Sequence, residues 1–254
     1  MSGSERMIAP NLRKAHERCA DCGIRTRAVC SYCGPQDLQL LDAIKFYKTY
    51  DPGQEIVAAG ERTDFLGSVV EGVVSLCKTM PDGRRQMVGL MFPSDFVGRP
   101  MRPIAPYDAV AVTPVKLCLF HRSRFERLLK DTPSLEKRLL EMTLDELDAA
   151  RDWMLLLGRK TAREKIATFL AILTRRAAGL DNTRPHDGLR FELPLTREQM
   201  ADYLGLTIET VSRQITGLKK DGVVEFADAR SCHVPDFVAL LDAAGEDADG
   251  GMIG

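Results

Sequence analysis

Between about residue 36 and residue 122 the chain alternates short apolar, β-like runs with turns. The runs cover residues 55–57, 67–77, 86–92 and 109–112, and Gly, Pro and Asp residues separate them. Strands spaced by roughly ten residues with such turns are typical of a sandwich or a jelly-roll barrel. Pro81-Asp82-Gly83 between two of the runs predicts a hairpin.

A long helix is predicted to follow this barrel. Thr132 suits the N-cap and Pro133 the first helical position. The uninterrupted stretch to Leu157 is about 25 residues, or roughly 38 Å at 1.5 Å per residue. It carries two adjacent apolar stripes: Leu139, Met142, Ala149, Trp153 and Leu156, with Glu146 interrupting them, and Leu140, Leu147, Ala150, Met154 and Leu157.

Two stripes on one helix indicate two faces to bury. One face can lie on the chain's own barrel and the other on a second copy of the chain. We assign the first stripe, including Glu146, to dimerisation. The alternative is a single broad core face within a monomer.

The pattern after Gly158 predicts helices over about 160–178, 196–204 and 207–220, and strands around 223–227 and 231–235. Thr196-Arg-Glu-Gln199 has the form of a capping box. The following helix ends at Gly205, and Thr207 can cap the next one. Two short helices joined by a three-residue turn with glycine are typical of a helix-turn-helix, here with a two-stranded wing.

Polar residues of the second of these helices share one face. Val211, Ile215 and Leu218 are its predicted core positions, and Glu209, Ser212 and Arg213 lie together elsewhere at i, i+3 and i+4. Arg can bind both acceptors of guanine, Glu can accept from cytosine, and Ser can bind a base or a phosphate. This face therefore predicts base recognition in a major groove, and the alternative is a solvated Glu209–Arg213 ion pair. Phosphate contacts are predicted for the surrounding residues Thr207, Thr210, Arg197, Lys219 and Lys220.

Composition and charge limit the function and the cellular location that we expect. The chain has 254 residues and a formal net charge of −1, so a DNA-binding face needs local rather than global basicity. We find no apolar run of membrane-spanning length and no signal-peptide core, so we expect a cytoplasmic protein without a membrane partner. The dispersed residues His16, His121, His186 and His233 do not form a facial metal set, so a β-roll oxygenase is disfavoured and we expect no enzyme.

The segment Leu204-Gly-Leu-Thr-Ile-Glu-Thr-Val-Ser-Arg213 resembles the recognition helix of the CRP/FNR superfamily of transcription regulators. Its Glu-x-x-Ser-Arg pattern resembles the FNR-type anaerobic regulators, and Met154-Leu-Leu-Leu-Gly-Arg-Lys160 resembles their hinge. The resemblance implies an α+β fold with a cyclic-nucleotide-binding-like β-roll, a long dimerisation helix and a winged helix-turn-helix. It also implies a homodimer that binds TTGAT-like half-sites in double-stranded DNA and works with RNA polymerase, chiefly as an activator.

Seven cysteines are present, and four of them fall within fifteen residues: Cys19, Cys22, Cys30 and Cys33. In a chain that is not exported, such clustering indicates metal rather than disulfides. The resemblance implies a [4Fe-4S] cluster held by three arm cysteines and one cysteine of the β-roll, which Cys118 matches. Cys19 and Cys22 match the first pair. The family's third ligand follows after a gap of five residues, whereas the gap here is seven to Cys30 and ten to Cys33. Measured back from Leu41-Asp42 at the start of the barrel, Cys30 lies nearer the expected place, so we assign Cys30 and keep Cys33 in reserve.

The alternative to the cluster is a four-cysteine zinc site formed by the two Cys-x2-Cys pairs. The remaining cysteines, Cys77 and Cys232, are expected to be ordinary buried thiols. In the family's mechanism an intact cluster anchors the arm and lets the long helix dimerise, and oxygen destroys that state. We add the hypothesis that Glu146 makes the helix pairing marginal.

Cyclic nucleotide is not expected as the effector. The family's ribose-binding carboxylate corresponds to Arg99, and Asp108 stands near the place of the cyclic phosphate. The predicted divisions are a cluster-binding arm (1–35), a β-roll (36–130), the dimerisation helix (131–158), the winged helix-turn-helix (159–240) and a disordered tail (241–254).

Overall fold

The computed structural model describes residues 18–180 and 187–246. The first half of the predicted arm and the last eight residues of the predicted tail lie outside the described residues. The arm begins with a 3-10 turn at Cys19–Asp21 and continues in turns to α1 (Pro35–Ile44), a helix that the sequence analysis missed.

The predicted β-roll is confirmed as two four-stranded antiparallel sheets with a common core. The strands are β1 (Lys45–Tyr50), β2 (Glu55–Val57), β3 (Phe65–Glu71), β4 (Val74–Thr79), β5 (Arg85–Met91), β6 (Phe96–Val97), β7 (Asp108–Ala111) and β8 (Val115–His121). One sheet has the order β1-β8-β3-β6 and the other β2-β7-β4-β5. The predicted hairpin joins β4 to β5, and Gly83 there has the positive φ of 86° that favours glycine.

Strands β3 and β8 approach each other closely at Gly67. A Cβ atom at this position would lie 2.1 Å from the carbonyl oxygen of Cys118. Only glycine fits such a contact. The missing side chain therefore helps to set where β8 presents Cys118.

The β-roll leads into α2 (Arg122–Asp131), which the sequence analysis also missed, and then into the predicted long helix, α3 (Pro133–Arg159). Pro133 begins α3 as predicted, but the Thr132 side chain makes no capping hydrogen bond. Thr132 is instead buried at the junction of the two helices.

The two stripes of α3 face different surroundings. Leu156 is fully buried in the core of the C-terminal domain, and Trp153 packs against that core. Leu139 and Met142 pack against the cluster formed by the arm, α1 and α2. Leu156, Trp153, Leu139 and Met142 therefore pack against their own chain, whereas Ala149 is half-buried and Glu146 exposed. The dimerisation role of this stripe stays a prediction.

The other stripe of α3 lies on the surface. Leu140 is 58% exposed, Leu147 46% and Met154 65%, and Leu144, Leu155 and Leu157 are exposed beside them. This stripe is exposed because the chain's own domains cover only the other side of α3, at both ends of the helix.

The C-terminal domain has the predicted winged helix-turn-helix form. Its elements are α4 (Ala162–Leu180), β9 (Leu189–Glu192), α5 (Arg197–Leu204), α6 (Ile208–Lys220), β10 (Glu225–Phe226), β11 (Ser231–Val234) and α7 (Phe237–Ala244). The sheet order is β10-β11-β9. The sequence analysis missed β9 and α7.

The start of the predicted tail is ordered, which corrects the disordered assignment for residues 241–246. Helix α7 runs through Leu241, and Glu246 is buried beyond its end. The Glu246 carboxylate pairs with Lys160 at 3.1 Å and with Arg175 at 3.3 Å. A buried carboxylate needs such partners to offset its lost hydration.

Polar contacts join the β-roll to the DNA-binding domain. Gln86 Nε2 on β5 donates to the backbone oxygen of Asp202 on α5 at 2.8 Å. Arg176 on α4 pairs with Asp95 at 3.1 Å. In the described part of the chain, no helix is long and apolar enough to cross a membrane.

Candidate functional site

The candidate metal centre lies where the arm meets the outer face of the sheet formed by β1 and β8. Cys19 belongs to the first turn of the arm, and Cys22 and Cys30 follow in its irregular part. Cys118 is on β8, directly opposite Tyr47 of β1. The fold therefore brings Cys118 to three thiols that lie about ninety residues earlier in the sequence.

Electrostatic coupling identifies which thiols are neighbours. Burial raises the pKa of the Cys118 thiol, and the charges of Cys19, Cys22 and Cys30 raise it further. Burial raises the pKa of Cys30 to about 11, and the charges of Cys22 and Cys33 add to that shift. These four thiols, which we call the cysteine site (Cys19, Cys22, Cys30 and Cys118), thus lie within electrostatic range of one another.

Cys33 has different surroundings. Burial raises its pKa to about 11, followed by the effect of Asp37, while a hydrogen bond with Ser134 at the start of α3 lowers it. Cys33 nevertheless packs in the same buried cluster as Cys19 and Cys118. The reserve ligand therefore lies near α1 and α3 and also within electrostatic range of Cys19 and Cys30.

Residues 18–180 and 187–246 contain no group of three His, Cys, Asp or Glu side chains arranged for a single metal ion. A mononuclear zinc site requires its sulfurs at about 2.3 Å from one ion. In a four-iron cluster the four cysteines ligate separate irons and stand further apart. Thiols are the soft donors that both zinc and iron–sulfur clusters take, so the chemistry of this donor set fits either group.

The other two cysteines behave as expected for packed thiols. Cys77 and Cys232 are each 1% exposed, one in β4 and one in β11. Arg85 donates a hydrogen bond to the Cys77 sulfur at 3.1 Å.

The candidate nucleic-acid interface is built by two capped helices. The Thr196 side chain accepts from Gln199 N at 3.2 Å, and Thr196 N donates to Gln199 Oε1 at 2.9 Å, which confirms the capping box. Gly205 ends α5 with a φ of 62°, a conformation that favours glycine. Thr207 caps α6 by accepting from Thr210 N at 3.2 Å, as predicted.

The predicted reading face is exposed. Val211, Ile215 and Leu218 are buried, so α6 presents Glu209, Ser212 and Arg213 to solvent. Among the described residues, Glu209 and Arg213 do not form the ion pair that was the alternative. Arg213 lies 3.5 Å from Thr210 Oγ1, and backbone and Thr207 hydrogen bonds hold the pKa of Glu209 low.

Arg197 lies beside the wing, and its phosphate contact stays a prediction. Its guanidinium is 5.1 Å from the ring centre of Phe226, and burial lowers its pKa. Lys219 Nζ is 5.8 Å from the same ring centre. Both cations therefore frame the wing next to the recognition helix.

The β-roll contains a mainly apolar cavity at the place of the family's effector pocket. Arg99 and Tyr107 line it together with aliphatic residues such as Val57, Leu76 and Val97. Asp108 accepts a hydrogen bond from Ala59 N at 2.8 Å and so belongs to the backbone framework.

Sequence reasoning missed the residues that hold the arm in place. Asp42 Oδ1 accepts from the Cys19 backbone at 3.0 Å, and Arg138 of α3 donates to the Arg27 carbonyl at 2.9 Å. Neither contact has a local sequence signal, because each joins residues more than twenty positions apart.

Two family models match the chain. The Cyclic nucleotide-binding domain matches residues 47–132, and the Crp-like helix-turn-helix domain matches residues 164–243. The transcriptional activator protein FnrL of Cereibacter sphaeroides is 56% identical over 235 residues, covering 92% of this chain and 95% of the relative. The nitrogen fixation regulation protein FixK of Bradyrhizobium diazoefficiens is 37% identical over 247 residues, covering 96% and 97%.

The solved structure of FixK2 from Bradyrhizobium japonicum has the same fold. It is 34% identical, superposes with a TM-score of 0.72, and the match covers 81% of this chain and 98% of that chain. These relatives are DNA-binding regulators and not enzymes. With both halves of the chain matched and full-length relatives well above 30% identity, this protein belongs to the CRP/FNR family of transcription regulators.

Proposed function

We propose that this regulator is an oxygen-responsive transcription activator whose homodimer holds one [4Fe-4S] cluster per subunit at Cys19, Cys22, Cys30 and Cys118. Under anaerobic conditions the dimer binds two-fold TTGAT-like sites in double-stranded DNA and acts with RNA polymerase. The observation that carries the proposal is the packing of the arm cysteines Cys19 and Cys30 with Cys118 of β8 in one buried cluster. When bound, the cluster supplies oxygen-labile bonds between the arm and β8.

The arm is positioned to influence α3. Arg138 on α3 donates to the Arg27 carbonyl of the arm, and its guanidinium lies 5.7 Å from the Tyr32 ring centre. Tyr32 also forms a hydrogen bond with Glu141, one turn further along α3. An arm held at the cysteine site therefore buttresses the first turns of the helix, and an arm released from it loses these contacts.

The exposed stripe of α3 supports dimerisation. Leu140, Leu144 and Leu147 follow the 4-3 spacing of the a and d positions of a coiled coil, and Met154 follows seven residues later, with Arg151 at the position between them. Isolated exposed leucines are common, but a row of apolar residues along one helix face is typical of an interface. We therefore propose this exposed stripe as the dimer seam in place of the stripe assigned from the sequence.

The exposed face of α6 supports sequence-specific DNA binding. Glu209, Ser212 and Arg213 lie in the N-terminal half of the helix, which is the part that enters a major groove. Thr207 and Thr210 at the helix start, and Arg197 beside the wing, are placed for backbone phosphates. A monomer reads only one half-site, so affinity depends on the pairing of two α6 helices.

The β-roll cavity supports the expectation that no cyclic nucleotide is bound. Arg99 stands where a ribose-binding carboxylate is needed, and the rest of the lining is mostly apolar. Arg99, Arg102 and Thr63 are cationic and polar donors of the lining, but the lining contains no carboxylate that could accept from ribose hydroxyls.

The test is anaerobic purification of the full chain, followed by iron and sulfide analysis and visible spectroscopy. We expect a brown protein that bleaches in air, with DNA binding lost in parallel. Cys30→Ser should remove the iron, whereas Cys33→Ser should keep it, and Cys77→Ser is the matched control. A colourless protein that retains zinc in air would overturn the cluster and favour the four-cysteine zinc site.

A further inference from the structure

A buried lysine lies against the cysteine site. Lys45 is the first residue of β1, and the register pairs it with Phe120, two residues from Cys118 on β8. Because side chains alternate along a strand, Lys45 and Cys118 lie on the same face of the sheet. The Lys45 side chain is only 9% exposed, although lysine is among the residues least often buried.

The ammonium group is aimed at the sulfurs. Lys45 Nζ donates to Cys19 Sγ at 3.7 Å, and its charge also interacts with Cys118. Lys45 therefore bridges one thiol of the arm and the one thiol of the β-roll, which are the two parts that the site has to join.

Asp42 holds this arrangement. Its Oδ1 accepts from Lys45 Nζ at 2.5 Å and from the Cys19 backbone at 3.0 Å. One carboxylate oxygen thus orients both the cation and the cysteine that the cation contacts.

A simple ion pair does not account for the burial of Lys45. The Asp42 side chain is 38% exposed, so a pair with it alone could form at the surface without taking the ammonium out of water. Burying a cation is unfavourable unless further partners compensate for its hydration. The Cys19 sulfur, 3.7 Å from the end of the lysine side chain, is such a partner, and it carries thiolate charge when the site is ligated.

We propose that Lys45 is a positioning residue of the cysteine site, whose ammonium donates a hydrogen bond to the ligand sulfur of Cys19 and offsets the negative charge of the assembled site. This inference rests on the proposed iron–sulfur function. Hydrogen bonds to the sulfurs and net charge are two of the properties that set the potential of a cluster. Lys45 therefore stabilises the ligated state and raises its reduction potential.

The test compares Lys45→Met with wild type and with Lys48→Met, all purified anaerobically as full chains. Lys48 is the matched control because it lies on the same strand, is exposed and points to the opposite face. We expect Lys45→Met to release iron to an anaerobic chelator about tenfold faster, as is usual when a group supporting a metal ligand is removed. Its midpoint potential should be more negative, and Lys48→Met should match wild type in both measurements.

Two further variants separate charge from packing. Lys45→Arg keeps the cation and should restore most of the iron retention. Asp42→Asn should release iron faster, because it weakens the hydrogen bonds that Asp42 accepts from Lys45 Nζ and from the Cys19 backbone. Thermal unfolding of the metal-free proteins checks that each variant folds. Equal release rates and potentials for wild type and Lys45→Met would overturn the inference while leaving the cluster in place, whereas a wild type without iron would overturn the proposed function itself.

Discussion

The indole ring of Trp153 on α3 stacks on the phenol ring of Tyr203 on α5, with centroids 4.1 Å apart and planes inclined by 21°. Tyr203 in turn meets Phe169 of α4 edge to face at 5.8 Å. The long helix is thereby joined to the first helix of the helix-turn-helix. The stack therefore fixes the position of α3 relative to α5.

Trp153→Ala should remove this connection. We expect the free energy of unfolding to fall by about 2–3 kcal/mol, because the change deletes a half-buried aromatic ring and an aromatic pair. Urea denaturation followed by circular dichroism measures the loss. Trp153→Phe is the control and should recover most of the stability; equal stabilities of Trp153→Ala and wild type would show that the stack contributes nothing in solution.

The wild-type protein offers a second readout of the same contact. Trp153 is the only tryptophan in the chain, so its fluorescence reports on the α3–α5 junction alone. We expect the emission to change when a specific DNA duplex binds.

Substitutions on α3 should distinguish the two stripes. Leu147→Glu places a carboxylate in the exposed seam and should weaken self-association by about a hundredfold or more, because burying an unpaired charge costs several kcal/mol. Analytical ultracentrifugation measures it. Val238→Glu alters an equally exposed residue of α7 and should leave association unchanged.

Leu156→Ala should lower the stability of the fold without weakening self-association. It opens a cavity in the core of the C-terminal domain and should cost about 2–5 kcal/mol of unfolding free energy. The folded fraction should still dimerise with wild-type affinity. Loss of dimerisation in Leu156→Ala with stability intact would reinstate the stripe assigned from the sequence.

Arg213→Ala should weaken specific binding by about 1–3 kcal/mol and relax base preference at one position of each half-site. Fluorescence anisotropy with a TTGAT-containing duplex and a scrambled duplex, at several salt concentrations, measures both effects. Lys219→Ala is the contrast and should weaken both duplexes alike while reducing the salt slope by about 1. Equal losses on the two duplexes for Arg213→Ala would assign Arg213 to phosphate contacts instead.

Glu246→Ala should destabilise the C-terminal domain by about 3 kcal/mol, since it leaves Lys160 and Arg175 facing a buried site without their carboxylate. Thermal and urea unfolding measure the change. Glu192→Ala removes an exposed carboxylate from β9 and serves as the control. A neutral effect of Glu246→Ala would mean that water replaces the carboxylate.

Local patterns in the sequence were enough to identify the β-roll, the long helix and the capped helix-turn-helix. Hairpin residues, helix caps and apolar periodicity act within a few positions, so Pro81-Asp82-Gly83, Thr196 and Gly205 could be interpreted without a structure. The exposed face of Glu209, Ser212 and Arg213 followed from the same periodicity. Helices α1 and α7 carry comparable signals that the sequence analysis did not use, namely Pro35 in the first turn of α1 and the Asp236 cap and terminal Gly245 of α7, whereas α2 has no side-chain cap.

Only the tertiary structure decided which face of α3 is free and which groups surround the cysteines. Both stripes of α3 are apolar, and the distinction depends on where the arm, the β-roll and the DNA-binding domain cover the helix. Likewise, spacing favoured Cys30 over Cys33, but only the folded arm shows which groups surround each thiol. Lys45, Asp42 and Arg138 acquire their contacts through residues far away in the chain, and no local pattern encodes such distances.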